Sequence, residues 1–132
     1  TTGVLVRNNL VSGNGSGFCI GAIVLPGTEN NNFISNLVGT DVTGKEKLAN
    51  TLDGFIVNTP NNTIGATGPG NINVVSGNGN NGITLTRATN TLIQNNHIGV
   101  DKYGIRIIPN DNNGIQVGLQ GGLAGASDNL II

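Results

Sequence analysis

Two stretches of this chain align without a gap at an offset of 60 residues, and that internal repeat limits the fold more than any other feature. The first is FISNLVGTDVTGKEKLANTLDGFIV, from Phe33 to Val57; the second is IQNNHIGVDKYGIRIIPNDNNGIQV, from Ile93 to Val117. Asn36 falls on Asn96, Val38 on Ile98, Gly39 on Gly99, Asp41 on Asp101 and Gly44 on Gly104. The match continues through Leu48 on Ile108, Asn50 on Asn110, Gly54 on Gly114 and Val57 on Val117. A second set of matches joins VSGN at Val11–Asn14 to VSGN at Val75–Asn78, and NLII at Asn129–Ile132 reads in phase with NVV at Asn73–Val75. The expectation is one domain over residues 1–132, built from two super-repeats of about 60 residues.

Within each copy the local unit is shorter. GFCI from Gly17, GFIV from Gly54, GITL from Gly82 and GIQV from Gly114 share the pattern Gly–apolar–x–apolar. Alternation of period two puts Phe18/Ile20, Phe55/Val57, Ile83/Leu85 and Ile115/Val117 on one face, and Cys19, Ile56, Thr84 and Gln116 on the other. The chain holds 23 Asn and 22 Gly, residues that tolerate left-handed backbone angles at tight turns. Its apolar residues are mostly Ile, Val and Leu, suited to pleated surfaces. Strands of three to five residues between such turns cannot pair as long hairpins, but they can form the sides of a coil that climbs about 4.8 Å per circuit. A helical repeat fails, because no window shows 3.6 periodicity and Gly is too frequent. The sequence therefore predicts a right-handed parallel β-helix (a β-solenoid), all-β, of about six coils at about 20 residues each. Stacked Asn side chains are expected to form ladders along the axis.

The asparagine-rich core of the pattern resembles the parallel β-helix repeats of secreted or surface-anchored bacterial proteins, a pectate-lyase-like solenoid. The shared elements are Asn-x-apolar-x-x-Asn-x-apolar-Gly-Thr-Asp-x-x-Gly, then Asn-Asn-Thr-Ile-Gly, then Asn-Val-apolar-Ser-Gly-Asn, and they extend over roughly residues 8–132. The second copy departs from them at Val100 and at GLQGGLAGAS, read as drift in turns. The resemblance implies the solenoid fold and an extracellular or cell-surface setting. It implies little about activity, since wider relatives on this solenoid include pectin-degrading enzymes while members with this repeat serve as extracellular modules.

Charge and motifs narrow the function classes. Six Lys and Arg stand against seven Asp and Glu with no run of either sign, so there is no electrostatic footprint for nucleic acid or an anionic membrane. No apolar stretch approaches the roughly 20 residues of a membrane-spanning helix. Carbohydrate-cleaving solenoids need clustered acids. Here Asp41 and Asp101 share a repeat position that reads as an Asx-type turn, and at about three coils apart, roughly 14 Å, they cannot share one ion. Asp53 matches Asn113 and Asp111 matches Thr51, so neither position demands a carboxylate. His97 matches Leu37 and reads as a surface or turn residue with no second His to form a metal pair. Ser12 and Ser76 lie in VSGN turns without a His partner. Cys19 takes an outward position, with partial burial expected. Two Thr-x-Thr pieces, Thr84–Thr86 and Thr89–Thr91, lack the repetition an ice-binding face requires. Sequons stand at Asn14 and Asn61 in turns. No catalytic, cofactor-binding or metal-binding residue is assigned.

The ends, TTGVLV and DNLII, read as apolar strand without a cap. Two readings follow: a structural, non-enzymatic extracellular module whose open ends self-associate head to tail into a filament, or part of a longer surface rod. The alternative is a carbohydrate-binding or polysaccharide-degrading domain. It predicts a row of aromatics or acids on one side, which Phe18, Phe33, Phe55 and Tyr103 do not supply.

Overall fold

The computed structural model describes residues 2–20, 28–118 and 125–132. These hold thirteen short strands: β1 Leu5–Arg7, β2 Leu10–Val11, β3 Phe18–Ile20, β4 Asn32–Ile34, β5 Leu37–Val38, β6 Phe55–Val57, β7 Thr63–Ile64, β8 Val74–Val75, β9 Ile83–Leu85, β10 Leu92–Ile93, β11 His97–Ile98, β12 Ile115–Val117 and β13 Leu130–Ile131. One turn of 3-10 helix, Pro69–Asn71, lies between β7 and β8. The strands make three parallel sheets, β1-β4-β7-β10-β13 (sheet A), β2-β5-β8-β11 (sheet B) and β3-β6-β9-β12 (sheet C). The chain visits the sheets in the order A, B, C and returns one strand further along, which is a parallel β-solenoid.

The coil count differs from the expected six. Four complete circuits are present, β1–β3, β4–β6, β7–β9 and β10–β12 (coils 1 to 4), and β13 opens a fifth. Equivalent residues of adjacent coils stand 23 (Asn73 and Asn96) to 38 (Thr91 and Asn129) positions apart. The 60-residue period spans two coils rather than three: Phe33 pairs with Ile64, and Ile64 with Ile93. The reason is an excursion on every second coil. Between sheets B and C, coils 1 and 3 turn directly, whereas coils 2 and 4 make small antiparallel hairpins closed by Thr40↔Lys47 and Val100↔Ile107. The phase of NLII is also corrected. Leu130 and Ile131 pair with Leu92 and Ile93 in sheet A, whereas Val74 and Val75 belong to sheet B. An Asn before two apolar residues opens strands in both sheets, so that short signature could not separate them. Of GLQGGLAGAS, residues 119–124 lie outside the described residues.

Inward side chains stack in columns. Val6, Phe33, Ile64, Ile93 and Ile131 form one; Val11, Val38, Val75 and Ile98 form another. Sheet C contributes Phe18–Phe55–Ile83–Ile115 and Ile20–Val57–Leu85–Val117. Phe18, Phe33 and Phe55 pack ring against ring, with centroids 4.9 to 5.5 Å apart. The expected facing in sheet C holds, but Thr84 is buried, because the Asn81 side chain covers the position and donates to its hydroxyl at 3.0 Å. The Gly before each of the first three sheet C strands is demanded by close approach. A Cβ on Gly54 would lie 2.7 Å from the Gly82 carbonyl, and one on Gly82 would lie 2.6 Å from that of Gly114.

Four lines of polar side chains run along the corners. Asn9, Asn36, Asn73 and Asn96 form a chain in which each Nδ2 donates to the next Oδ1 at 3.0, 3.0 and 2.8 Å. Asn50, Asn78 and Asn110 do the same at 2.9 Å per step. Asn31 donates to Asn62 Oδ1 at 3.1 Å, and two coils on Asn129 Oδ1 accepts from the Thr91 amide. The fourth line, Asp53–Asn81–Asn113, runs with opposite polarity, each Oδ1 accepting from the residue one coil later. Its first member need only accept, which is why a carboxylate fits there. The recurrent Asn-Asn dipeptides have a conformational cause. Asn8, Asn30, Asn61 and Asn95 take left-handed angles (φ 52 to 62°), and each immediately precedes a ladder Asn. These lines satisfy the buried amides of the corners, where no sheet hydrogen bond is available.

Candidate functional site

Among the described residues, those able to carry chemistry converge on no cleft. Asp41 builds the first hairpin: the Thr43 hydroxyl donates to its carboxylate at 2.8 Å, and the amides of Lys45 and Glu46 add bonds at 3.1 and 3.2 Å. Asp101 builds the second, accepting from the amides of Ile105 at 2.9 Å and Tyr103 at 3.1 Å. Both carboxyls are held below the ordinary range, Asp41 chiefly by the Thr43 hydroxyl and Asp101 chiefly by the Ile105 amide. These are the Asx-type turns expected at that position. The two hairpins belong to coils two apart, not three, and touch directly through Lys102 N donating to the Gly44 carbonyl at 2.9 Å.

The stacked hairpins form a ridge over the short turn of coil 3. Arg106 pairs with Glu46 at 2.9 Å and Lys47 with Asp111 at 2.6 Å, all four side chains well exposed. The Tyr103 ring lies 5.2 Å from both the Lys45 and Lys102 ammonium groups. Val42, Ile105 and Ile107 are exposed beside them. Sequence reasoning missed this ridge. Its one available signal was the opposite charge of Glu46 and Arg106, which share a repeat position.

His97 lies in β11 beside Val74, a strand position rather than a turn, with Nδ1 3.2 Å from the Asp101 carbonyl. Ser12 and Ser76 reach to the following coil and donate to the Thr40 and Val100 carbonyls, each at 2.7 Å, so they anchor the bases of the hairpins. Cys19 is exposed, contrary to the partial burial expected, since it faces away from the core on the outer side of β3. Thr84 and Thr91 are both buried, and the sequon residues Asn14 and Asn61 are exposed. Among the described residues no group of three His, Cys, Asp or Glu is placed to hold a metal ion. An open groove of about 610 Å3 runs between Thr67–Pro69, Ile72, Gln94–Asn95 and Ile132, lined without any ionisable side chain.

What the architecture does present is two strand-edged ends. Val57 and Leu85 are fully buried, yet Val117, next in the same column, is 52% exposed. Ile64 and Ile93 are buried, yet Ile131 after them is 47% exposed. No protein-family model, no curated protein and no solved structure matches the chain.

Proposed function

We propose that this chain is a structural, non-enzymatic solenoid module that forms or extends a rod by adding strands at its ends, in an extracellular or cell-surface setting. The observation that carries the proposal is the regular stacking of three parallel sheets, cored by apolar columns and bound by Asn ladders that repeat from coil to coil. Unpaired strand edges bearing apolar core are templates for further pairing. The acids support a scaffold: Asp41 and Asp101 close loops, Asp53 heads a ladder, and Glu46 and Asp111 are ion-paired. The setting draws its support from the repeat pattern alone.

Electron microscopy of the purified chain over a concentration series tests the reading. Uniform rods or fibres of one-coil width, with an axial repeat near four coils or about 19 Å, are expected. Irregular globular particles would refute it. A polysaccharide-binding side is the second reading, supported by exposed Tyr103 between two lysines. Retention of the chain on an acidic polysaccharide matrix, lost in Tyr103→Ala, would favour it.

A further inference from the structure

Resting on the second reading, a polysaccharide-binding side, we infer that the hairpin ridge binds an anionic polysaccharide. Lys45 and Lys102 take its acidic groups, and the Tyr103 ring takes the face of a sugar. Charge, exposure and the stacking of the hairpins lead there.

Four of the chain's six Lys and Arg side chains lie on the ridge. Lys47 and Arg106 have carboxylate partners in Asp111 and Glu46. Lys45 and Lys102 form no ion pair among the described residues; both ammonium groups lie 5.2 Å from the centroid of the same Tyr103 ring. The acids that open the two hairpins are engaged by backbone. Asp41 accepts from the Thr43 hydroxyl and the Lys45 and Glu46 amides, and Asp101, 2% exposed, accepts from the Tyr103 and Ile105 amides. The ring quadrupole attracts each ammonium, but the two repel one another with no paired carboxylate to offset it. An acidic group of a ligand placed between them removes that repulsion.

The ring is available, since Tyr103 is 57% exposed. Exposure belongs to the hairpin tip rather than to the last coil. Val42 and Thr43, which match Lys102 and Tyr103 in the repeat, are exposed although the second hairpin stacks on theirs. Lys45 comes from the coil 2 hairpin, and Lys102 and Tyr103 from that of coil 4, two strand spacings or about 10 Å along the axis. A linear polymer laid along the ridge therefore crosses both cations and the ring. The hairpins close on the single bridges Thr40↔Lys47 and Val100↔Ile107, so they offer a peptide no regular strand to extend.

Tyr103 is the chain's one tyrosine and tryptophan is absent, so tyrosine fluorescence of the unmodified full chain reads this site directly. Three polymers separate the contributions: carboxymethyl-dextran, neutral dextran, which keeps the sugar rings without the charge, and poly-glutamate, which keeps the charge without the rings. A saturable fluorescence change with carboxymethyl-dextran is expected, weakening as salt is raised, with the other two at least about fivefold weaker. Lys45→Gln and Lys102→Gln should each weaken binding about fivefold, the loss of one exposed ion pair. Arg87→Gln, which removes an exposed cation away from the ridge, should leave binding unchanged. Equal binding of poly-glutamate overturns the sugar as ligand, and equal binding of dextran overturns the role of charge. Arg87→Gln weakening binding as much as the lysine variants overturns the site in favour of net charge. Retention of the chain on a carboxymethyl-dextran matrix with no fluorescence change and no lysine dependence overturns the ridge as the site while leaving a polysaccharide-binding side standing elsewhere. No retention and no fluorescence change overturn both.

Discussion

Replacing Asn73 by Ala should cost about 3 kcal/mol, because this one side chain completes four hydrogen bonds at a corner with no access to water. Asn73 is fully buried. Its Oδ1 accepts from the Asn36 amide and from Asn36 Nδ2, both at 3.0 Å, and its Nδ2 donates to the Phe33 carbonyl and Asn96 Oδ1, both at 2.8 Å. The losses are unequal. The Phe33 carbonyl keeps the Gly65 amide at 2.7 Å, and Asn36 Nδ2 keeps the Val6 carbonyl at 3.0 Å. The Asn36 amide keeps nothing, and an orphaned buried donor costs about 2 kcal/mol; the two lost Nδ2 bonds add about 1 kcal/mol more. Against a whole-domain stability of about 5–15 kcal/mol, the change is readable in urea unfolding followed by circular dichroism. Asn73→Asp separates hydrogen bonding from packing, because it keeps the shape and the acceptor. Its second oxygen faces two acceptors, so the folded-state pKa is raised. The variant should be most stable below about pH 4 and lose stability as pH rises through that raised value. A loss under about 1 kcal/mol in Asn73→Ala, or no added pH dependence in Asn73→Asp, would show that the ladder does not support the corner as argued.

Thr91 interrupts the Asn31–Asn62–Asn129 line, and its buried hydroxyl has no partner among the described residues, so Thr91→Asn should stabilise by about 1 kcal/mol, seen as a higher Tm. Gly54→Ala should destabilise by about 2 kcal/mol, because the obstructing atom is the Gly82 carbonyl of the next coil rather than a flexible side chain; urea midpoints check it. Asp41 and Asp101 have depressed carboxyl pKa values, so the stability they confer is present above about pH 4 and is lost as pH falls through the folded values. Protection of the Ile105 and Glu46 amides against exchange, taken relative to their intrinsic rates, should fall there in acid, and Asp101→Asn should flatten the response at Ile105.

The solenoid class and its inward columns were legible because each sheet C strand announces itself by Gly and by period-two alternation, as in Gly54–Val57. The coil length was not. Residues 40–47 and 100–107 are hairpins projecting from the coils, and dividing the 60-residue period into coils of about 20 residues counted them as part of the circuit. Ladders were foreseeable from Asn frequency, but the division of labour inside Asn61-Asn62, left-handed turn and then ladder, is a backbone property that composition does not reveal. Thr84 was read as outward from alternation alone, which says nothing of a neighbouring side chain such as Asn81 folding over it. The ridge stayed hidden because it depends on residues 60 apart meeting across an intervening coil.

That ridge serves register more than strength. Its ion pairs are exposed, and pairs of that kind contribute about 0–1 kcal/mol each. A solenoid of identical coils faces a different difficulty: a strand can pair one coil too early or too late with its inward side chains still inward. Alternation removes that degeneracy here. A slip of one coil would set a hairpin where a direct turn belongs and would strip Ser12 and Ser76 of the carbonyls of Thr40 and Val100. A slip of two coils preserves the alternation but would match unlike partners, since Glu46 and Arg106 occupy the same repeat position with opposite charge. Apolar columns and Asn ladders therefore supply cohesion that is nearly the same at every coil, while Ser turns and hairpins distinguish one coil from the next. The pair of coils, rather than the single coil, is the unit that the 60-residue repeat encodes.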